Sequence, residues 1–112
     1  MKKIEATIRP EKLEPVRAAL ADLGIMGMTV SEASARGRQR GIALEWRAGG
    51  YRVEFLPRLR VEVVVLDEDL GKALNAIVTK ARTGERGDGK VFVIPIENAI
   101  RIRNGDEGGS AI

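Results

Sequence analysis

The chain has 112 residues, 44% hydrophobic, 31% charged and 4% aromatic, with a formal net charge of +3, which describes one soluble domain with a modest aliphatic core and no room for a second. Histidine and cysteine are both absent, which excludes imidazole acid/base chemistry, Ser/His/Asp and Cys/His nucleophiles, imidazole or thiolate zinc sites, and disulfides. Lys, Arg, carboxylates, Tyr and backbone amides remain for any site, and that set favours binding over catalysis.

In chain order, Ile4, Ala6 and Ile8 alternate with Glu5, Thr7 and Arg9, the period of a half-buried strand. Pro10 presets a helix start, Glu11 and Glu14 sit where the helix dipole favours anions, and Leu13, Val16, Leu20 and Leu23 repeat at helical spacing until Gly24. Met26, Met28, Val30 and Glu32 alternate with Gly27, Thr29, Ser31 and Ala33 and predict a second strand. From Leu59 to Leu66 every second residue is aliphatic, and Val64 and Leu66 add apolar area on the opposite face, which predicts a central strand. Asp67-Glu68-Asp69 opens a second helix, whose apolar face is Leu70, Ala73, Leu74, Ile77, Val78 and Ala81 and whose end is marked by Lys80 and Arg82. Val91 to Ile96 is the fourth strand, and Ala99 to Arg103 is expected to be a short strand or extended tail.

The order β, α, β, β, α, β is that of the α+β ferredoxin-like fold, expected over residues 1–112 as one domain. Both helices then cover one sheet face. Thr7, Thr29, Val64 and Leu66 make the other too apolar for full solvation, so a homo-oligomer is expected. The longest apolar run, Val91 to Ile96, is six residues, far short of the roughly 20 that span a bilayer. The start, Met1-Lys2-Lys3-Ile4-Glu5, has no apolar leader, and a cytoplasmic location without membrane insertion is expected.

Charge is uneven. Between Arg36 and Arg60 seven arginines face two glutamates, +5 in that stretch against −2 in the rest of the chain. This stretch links the second and third strands, where a hairpin needs two to five residues, and a connection of about 20 is normally a functional arm. It contains Gly37-Arg38-Gln39-Arg40-Gly41 and then Trp46, Arg47 and Tyr51, arginines and aromatics suited to docking on a partner; the alternative is that Trp46 and Tyr51 staple the loop to itself. The side-chain carbonyl of Gln39 is suited to a hard cation brought by a ligand.

The turn Thr83-Gly84-Glu85-Arg86-Gly87-Asp88-Gly89-Lys90 has the Gly-x-x-x-x-Gly-Lys spacing of a phosphate loop. Val91 stands where the Mg²⁺-holding hydroxyl belongs, and a helix enters the turn rather than leaving it, so an NTPase loop is excluded. What survives is a nest of backbone N–H groups at Gly87, Asp88 and Gly89 with Lys90 as a point charge, or an ordinary glycine turn. Arg101 and Arg103, two apart on an extended segment, would point together and with Lys90 form a cluster of three cations. Charge-assisted bonds of roughly 1.5–3 kcal/mol each, discounted for ordering, would hold a nucleotide at about micromolar strength. The alternative is a basic tail paired with Asp106 and Glu107.

These residues resemble the PII nitrogen-regulatory signal-transduction family along the whole chain. The resemblance is carried by Gly37-Arg38-Gln39-Arg40-Gly41, by Thr83-Gly84 with Gly87-Asp88-Gly89-Lys90-Val91-Phe92-Val93, and by Arg101-Ile102-Arg103 with Gly105. It implies a non-enzymatic cytoplasmic homotrimer with a T-loop over 36–56, a B-loop over 82–90 and a C-loop over 101–109. It implies ATP or ADP in clefts between subunits, held by Thr29, Arg38, Glu62, Val64, Gly87, Asp88, Gly89, Lys90, Arg101 and Arg103. It further implies 2-oxoglutarate at Arg9, Gln39, Arg40, Gly41 and Arg58, with Mg²⁺ on Gln39. Trp46, Arg47 and Tyr51 would meet target proteins such as an ammonium channel, a nitrogen-metabolism enzyme or a uridylyltransferase, with Tyr51 as the modified residue.

Arg58 departs from the family's usual lysine, and a planar fork does not substitute for a compact ammonium. Ala43, Trp46, Ala48 and Gly50 also depart from the usual Thr, Tyr, Gly and Glu. An alternative is therefore a divergent PII-like adenine-nucleotide sensor that does not respond to 2-oxoglutarate. An RNA-binding domain shares the element order but needs stacking aromatics, and Glu5 to Arg9 and Leu59 to Leu66 contain none, so nucleic acid is not the expected partner. A phosphotransfer enzyme of this architecture would have to react through Asp88 or Lys90 and would show multiple turnover.

Overall fold

A computed structural model of the chain describes residues 1–36, 46–47, 50–51 and 55–112, with backbone pairing alone for 46–47 and 50–51. Strand β1 is Lys2–Ile8 and buries Ile4, Ala6 and Ile8, the expected alternation. Pro10–Lys12 makes a 3₁₀ turn that leads into helix α1, Leu13–Asp22, where Pro10 loses nothing by lacking an N–H because the first turn leaves that group orphaned. Gly24, at φ +80°, ends the segment by donating to the Ala21 carbonyl at 2.9 Å.

Strand β2 is Thr29–Ala35, and two short strands, β3 (Trp46–Arg47) and β4 (Gly50–Tyr51), pair with each other. Strand β5 is Leu56–Val65, helix α2 is Leu70–Ala81 after a 3₁₀ turn at Asp67–Asp69, and strand β6 is Val91–Pro95. The main sheet runs β2-β5-β1-β6, all antiparallel, and the fold is the expected ferredoxin-like α+β arrangement.

The largest differences from the expected strand bounds are at the starts of β5 and β2, while β5 and β6 each end one residue early, at Val65 and Pro95. β5 starts at Leu56 rather than Leu59, because Leu56, Pro57 and Arg58 continue the pairing with Ala35, Ser34 and Ala33. β1 pairs with β5 only as far as Ile8 with Leu59, so Pro57 lies beyond that ladder and its missing N–H breaks nothing there. β2 begins at Thr29, opposite Glu62, and Met26 stays 75% exposed.

The core lies between the sheet and both helices. Val61, Val63 and Val65 of β5 join the β1 aliphatics, and Val16, Leu20, Ala73, Ile77 and Ala81 cover them. Each large side chain fully buried there contributes about 1.5–3 kcal/mol.

On the opposite face stand Lys3, Glu5 and Thr7 beside Arg60, Glu62 and Val64, with Phe92 and Ile94 on β6. Glu5 sits directly opposite Glu62, a repulsive pairing. Lys3 Nζ offsets it by reaching Glu62 Oε2 at 2.7 Å, and Arg60 Nε stands 3.9 Å from Glu5 Oε1. Phe92 remains 54% exposed. Among the described residues no helix is long and apolar enough to cross a membrane.

Candidate functional site

The turn between α2 and β6 is built around one carboxylate. Asp88 Oδ2 accepts the backbone N–H of Thr83 at 2.9 Å and of Gly84 at 2.8 Å. Its Oδ1 accepts the Thr83 hydroxyl and, at 3.1 Å, Arg9 Nε. These donors, the Thr83 hydroxyl foremost, hold the Asp88 carboxyl well below the usual carboxylate range. Thr83 Oγ1 in turn accepts the Glu85 N–H at 3.1 Å.

Two arginines from outside the turn grip its carbonyls. Arg9 Nη2 donates to the Arg86 carbonyl at 2.9 Å, and Arg58 donates to the Gly87 carbonyl from Nε at 3.3 Å and Nη2 at 3.1 Å. The Lys90 carbonyl accepts the Thr7 N–H at 3.1 Å, which seats the turn on β1. Gly84, Gly87 and Gly89 have φ of +88°, +94° and +96°. At Gly89 the constraint is also steric, since a Cβ there would lie 1.8 Å from the Thr7 carbonyl oxygen.

The internal capture of the Asp88 carboxylate matters for chemistry. A free aspartate in this position would repel an anion; here its charge is matched by Arg9 and by amide and hydroxyl donors, while Lys90 forms no side-chain hydrogen bond or ion pair among the described residues. Asp88, Gly89, Lys90 and Thr7 line a crevice of about 230 Å³ that continues under Val78, Ala81 and Arg82. Glycines at positive φ, backbone N–H groups and an available ammonium fit a phosphate or carboxylate.

Thr29, Glu62 and Val64 line a different and larger cleft of about 750 Å³, with Gly27, Met28 and Lys3. That volume is in the range of small-molecule sites. Glu62 is half-buried and held by Lys3 at 2.7 Å, a pair that raises the Lys3 pKa. Among the expected site residues, Asp88, Gly89 and Lys90 therefore line one cleft, and Thr29, Glu62 and Val64 line another.

Arg101 and Arg103 do not lie on an extended segment. Residues 102–104 form a turn in which the Arg101 N–H donates to the Asp106 carbonyl and the Gly105 N–H to the Arg101 carbonyl, each at 2.8 Å. Asn104-Gly105 causes it, with Gly105 at φ +77° and Ile100 bridged to Glu107. The period-of-two expectation for the two guanidiniums is thereby corrected. Arg101 Nη1 lies 3.4 Å from Asp106 Oδ2, one of the pairings considered for a basic tail, while Arg103 is exposed and has no side-chain partner among the described residues.

Arg9 and Arg58, expected at a dicarboxylate, both donate to the 83–90 turn in this structure, and Arg58 Nη1 also donates to the Pro57 carbonyl at 2.7 Å. Arg38, Gln39, Arg40 and Gly41 lie outside the described residues. In the β3–β4 ladder Trp46 pairs with Tyr51 and Arg47 with Gly50.

Sequence reasoning missed the Thr83–Asp88 closure and both arginine grips. The first had a signal, an aspartate between two glycines five residues after a Thr-Gly step. The arginines, 77 to 79 and 29 residues from their acceptors, had none.

The family model described as nitrogen regulatory protein P-II matches residues 1–106. Proteins named nitrogen regulatory protein P-II from Haemophilus influenzae, Nostoc punctiforme and Azospirillum brasilense are 51%, 50% and 50% identical to this chain over 112 residues, covering all of each sequence.

Proposed function

The chain belongs to the nitrogen regulatory protein P-II family, and from that premise we propose that this regulator of nitrogen metabolism acts by binding rather than turnover. It senses ATP or ADP together with 2-oxoglutarate and passes that state to target proteins through residues 36–56. The observation that carries the reading is the 83–90 turn: its carboxylate is neutralised internally, its glycines hold positive φ, and Lys90 is left available.

Gly87, Asp88, Gly89 and Lys90 hold the phosphates through backbone N–H groups and one ammonium, aided by Arg38, Arg101 and Arg103. Thr29, Glu62 and Val64 receive the base and ribose. Asp88, Gly89 and Lys90 line one cleft of the chain and Thr29, Glu62 and Val64 another, which supports a site assembled between protomers. The apolar groups Val64, Phe92 and Ile94 on the open sheet face support self-association as a homotrimer in the cytoplasm.

Gln39 is the residue suited to Mg²⁺, through its side-chain carbonyl. Arg9, Gln39, Arg40, Gly41 and Arg58 form the 2-oxoglutarate set. Gln39 follows β2 by four residues and Arg58 is the third residue of β5, so a ligand gripped by both biases the connection between those strands. Fixing one residue's backbone costs about 1–2 kcal/mol, and a connection already biased towards the form a target requires has less left to offset on docking. Trp46, Arg47 and Tyr51 meet the target, an ammonium channel, a nitrogen-metabolism enzyme or a uridylyltransferase that modifies Tyr51.

A second reading, an adenine-nucleotide sensor without 2-oxoglutarate response, is favoured by the engagement of Arg9 and Arg58 with turn carbonyls. Calorimetry with Mg-ATP, with and without 2-oxoglutarate, separates the two. Tighter ATP binding with the dicarboxylate supports the first; an unchanged affinity selects the second. Light scattering that returns a monomer removes the intersubunit site.

A further inference from the structure

Arg58 is the buried charged residue among the described residues, 9% exposed. A buried guanidinium needs acceptors for its N–H groups, and here they are main-chain carbonyls rather than a carboxylate: Gly87 receives Nε and Nη2, and Pro57 receives Nη1. Arg9 does the same one residue earlier, at Arg86. Two successive carbonyls of the turn are thus held by side chains that start from two different strands or their ends.

The consequence follows from peptide planarity. In a trans peptide the C=O and the following N–H point in opposite directions. Drawing the Arg86 carbonyl towards Arg9 turns the Gly87 N–H away from Arg9, and drawing the Gly87 carbonyl towards Arg58 turns the Asp88 N–H away from Arg58. The Gly87 N–H has no protein acceptor among the described residues, while the Asp88 N–H closes the turn at 86–87 towards the Glu85 carbonyl.

We infer that Arg58 is a positioning residue of the phosphate turn: by holding the Gly87 carbonyl it fixes the peptide that closes this turn and ties it to β5, so that the Gly87 N–H, turned by the grip of Arg9 on the preceding carbonyl, is kept for the phosphate chain of a nucleoside di- or triphosphate. This rests on the nucleotide reading above, and it adds to the place of Arg58 in the 2-oxoglutarate set a role in shaping the turn. A hydrogen bond from a charged group is worth about tenfold in an equilibrium, which sets the scale of the test.

The test uses the full chain with Arg58→Met and Arg58→Lys, amide exchange followed by NMR, and titrations with ATP, adenosine and 2-oxoglutarate. In Arg58→Met, exchange at Thr83 and Gly84, whose N–H groups close on Asp88, is expected to rise about tenfold. ATP is expected to bind about tenfold more weakly while adenosine, which has no phosphate, binds as to the wild type. Arg58→Lys, with one ammonium able to reach the Gly87 carbonyl, recovers part of both losses.

Unchanged exchange at Thr83 and Gly84 overturns the inference, as does a loss confined to the 2-oxoglutarate titration, which would make Arg58 a ligand of the dicarboxylate alone. An equal loss for adenosine and ATP also overturns it, because the amide would then serve no phosphate. Should the wild type bind no nucleotide, the functional reading falls and the exchange comparison alone decides whether Arg58 orders the turn. Should Arg58→Met lose protection at Ile77, and hence its fold, the lysine variant carries the comparison: exchange at Thr83 and Gly84 about threefold above wild type supports the inference, and exchange equal to wild type overturns it.

Discussion

Two turns of this molecule carry glycines and cations, and they are held in opposite ways. The 83–90 turn is anchored from afar, by Arg9, Arg58 and the Thr7 amide, which lie on or beside the two central strands. The turn around 101–106 is closed by its own neighbours: Arg101 and Asp106 share a backbone bond and an ion pair, and Asn104 bonds Asp106 twice at 3.1 Å. The first is tied to the sheet, so its N–H groups lose little entropy on binding; the second keeps its shape through local bonds. A site using both has one half fixed to the sheet and one half held locally.

The comparison breaks most visibly at Gly89. Gly89→Ala would place a methyl 1.8 Å from the Thr7 carbonyl at φ +96°, and unfolding in urea should show a loss on the order of 3 kcal/mol. Stability equal to wild type would mean that the turn is not seated on β1. Asp88→Ala removes the acceptor that closes the turn, and ATP titration should show about tenfold weaker binding while the helices keep their circular dichroism signal.

Acid sharpens the same point. Because the folded Asp88 carboxyl titrates below its unfolded value, its contribution to stability is present above about pH 4 and is lost as pH falls further, through the folded value. Urea midpoints measured downwards from pH 5 should therefore fall less steeply in Asp88→Asn than in wild type. The smallest effect belongs to the local turn. Asp106→Ala removes a partly exposed pair and should change stability by no more than about 0.5 kcal/mol; a loss as large as that of Gly89→Ala would erase the distinction between the turns.

Legibility in the sequence followed range. The alternation at Ile4, Ala6 and Ile8 and the spacing of Ala73, Ile77 and Ala81 are read within one turn or strand, and they appear as written. Pro57 hid the first three residues of β5, because the ladder on its open side cannot be inferred without knowing where β1 ends. The extended segment expected at Arg101 and Arg103 is a turn, and Asn104-Gly105, a strong turn signal, follows them directly. The candidate site was legible as composition, a glycine-rich turn with a lysine, but not as mechanism. Whether Asp88 faces a ligand or its own loop depends on Arg9, and nothing near Asp88 in the chain announces that partner.

The central claim is that the 83–90 turn is the phosphate-binding half of a nucleotide site. The most direct measurement is an NMR titration of the amide-labelled chain with Mg-ATP. The account predicts saturable shifts concentrated at Gly87, Asp88, Gly89 and Lys90, with a dissociation constant of about micromolar order. No shift in that turn at millimolar ATP, or shifts confined to other surfaces, would contradict it.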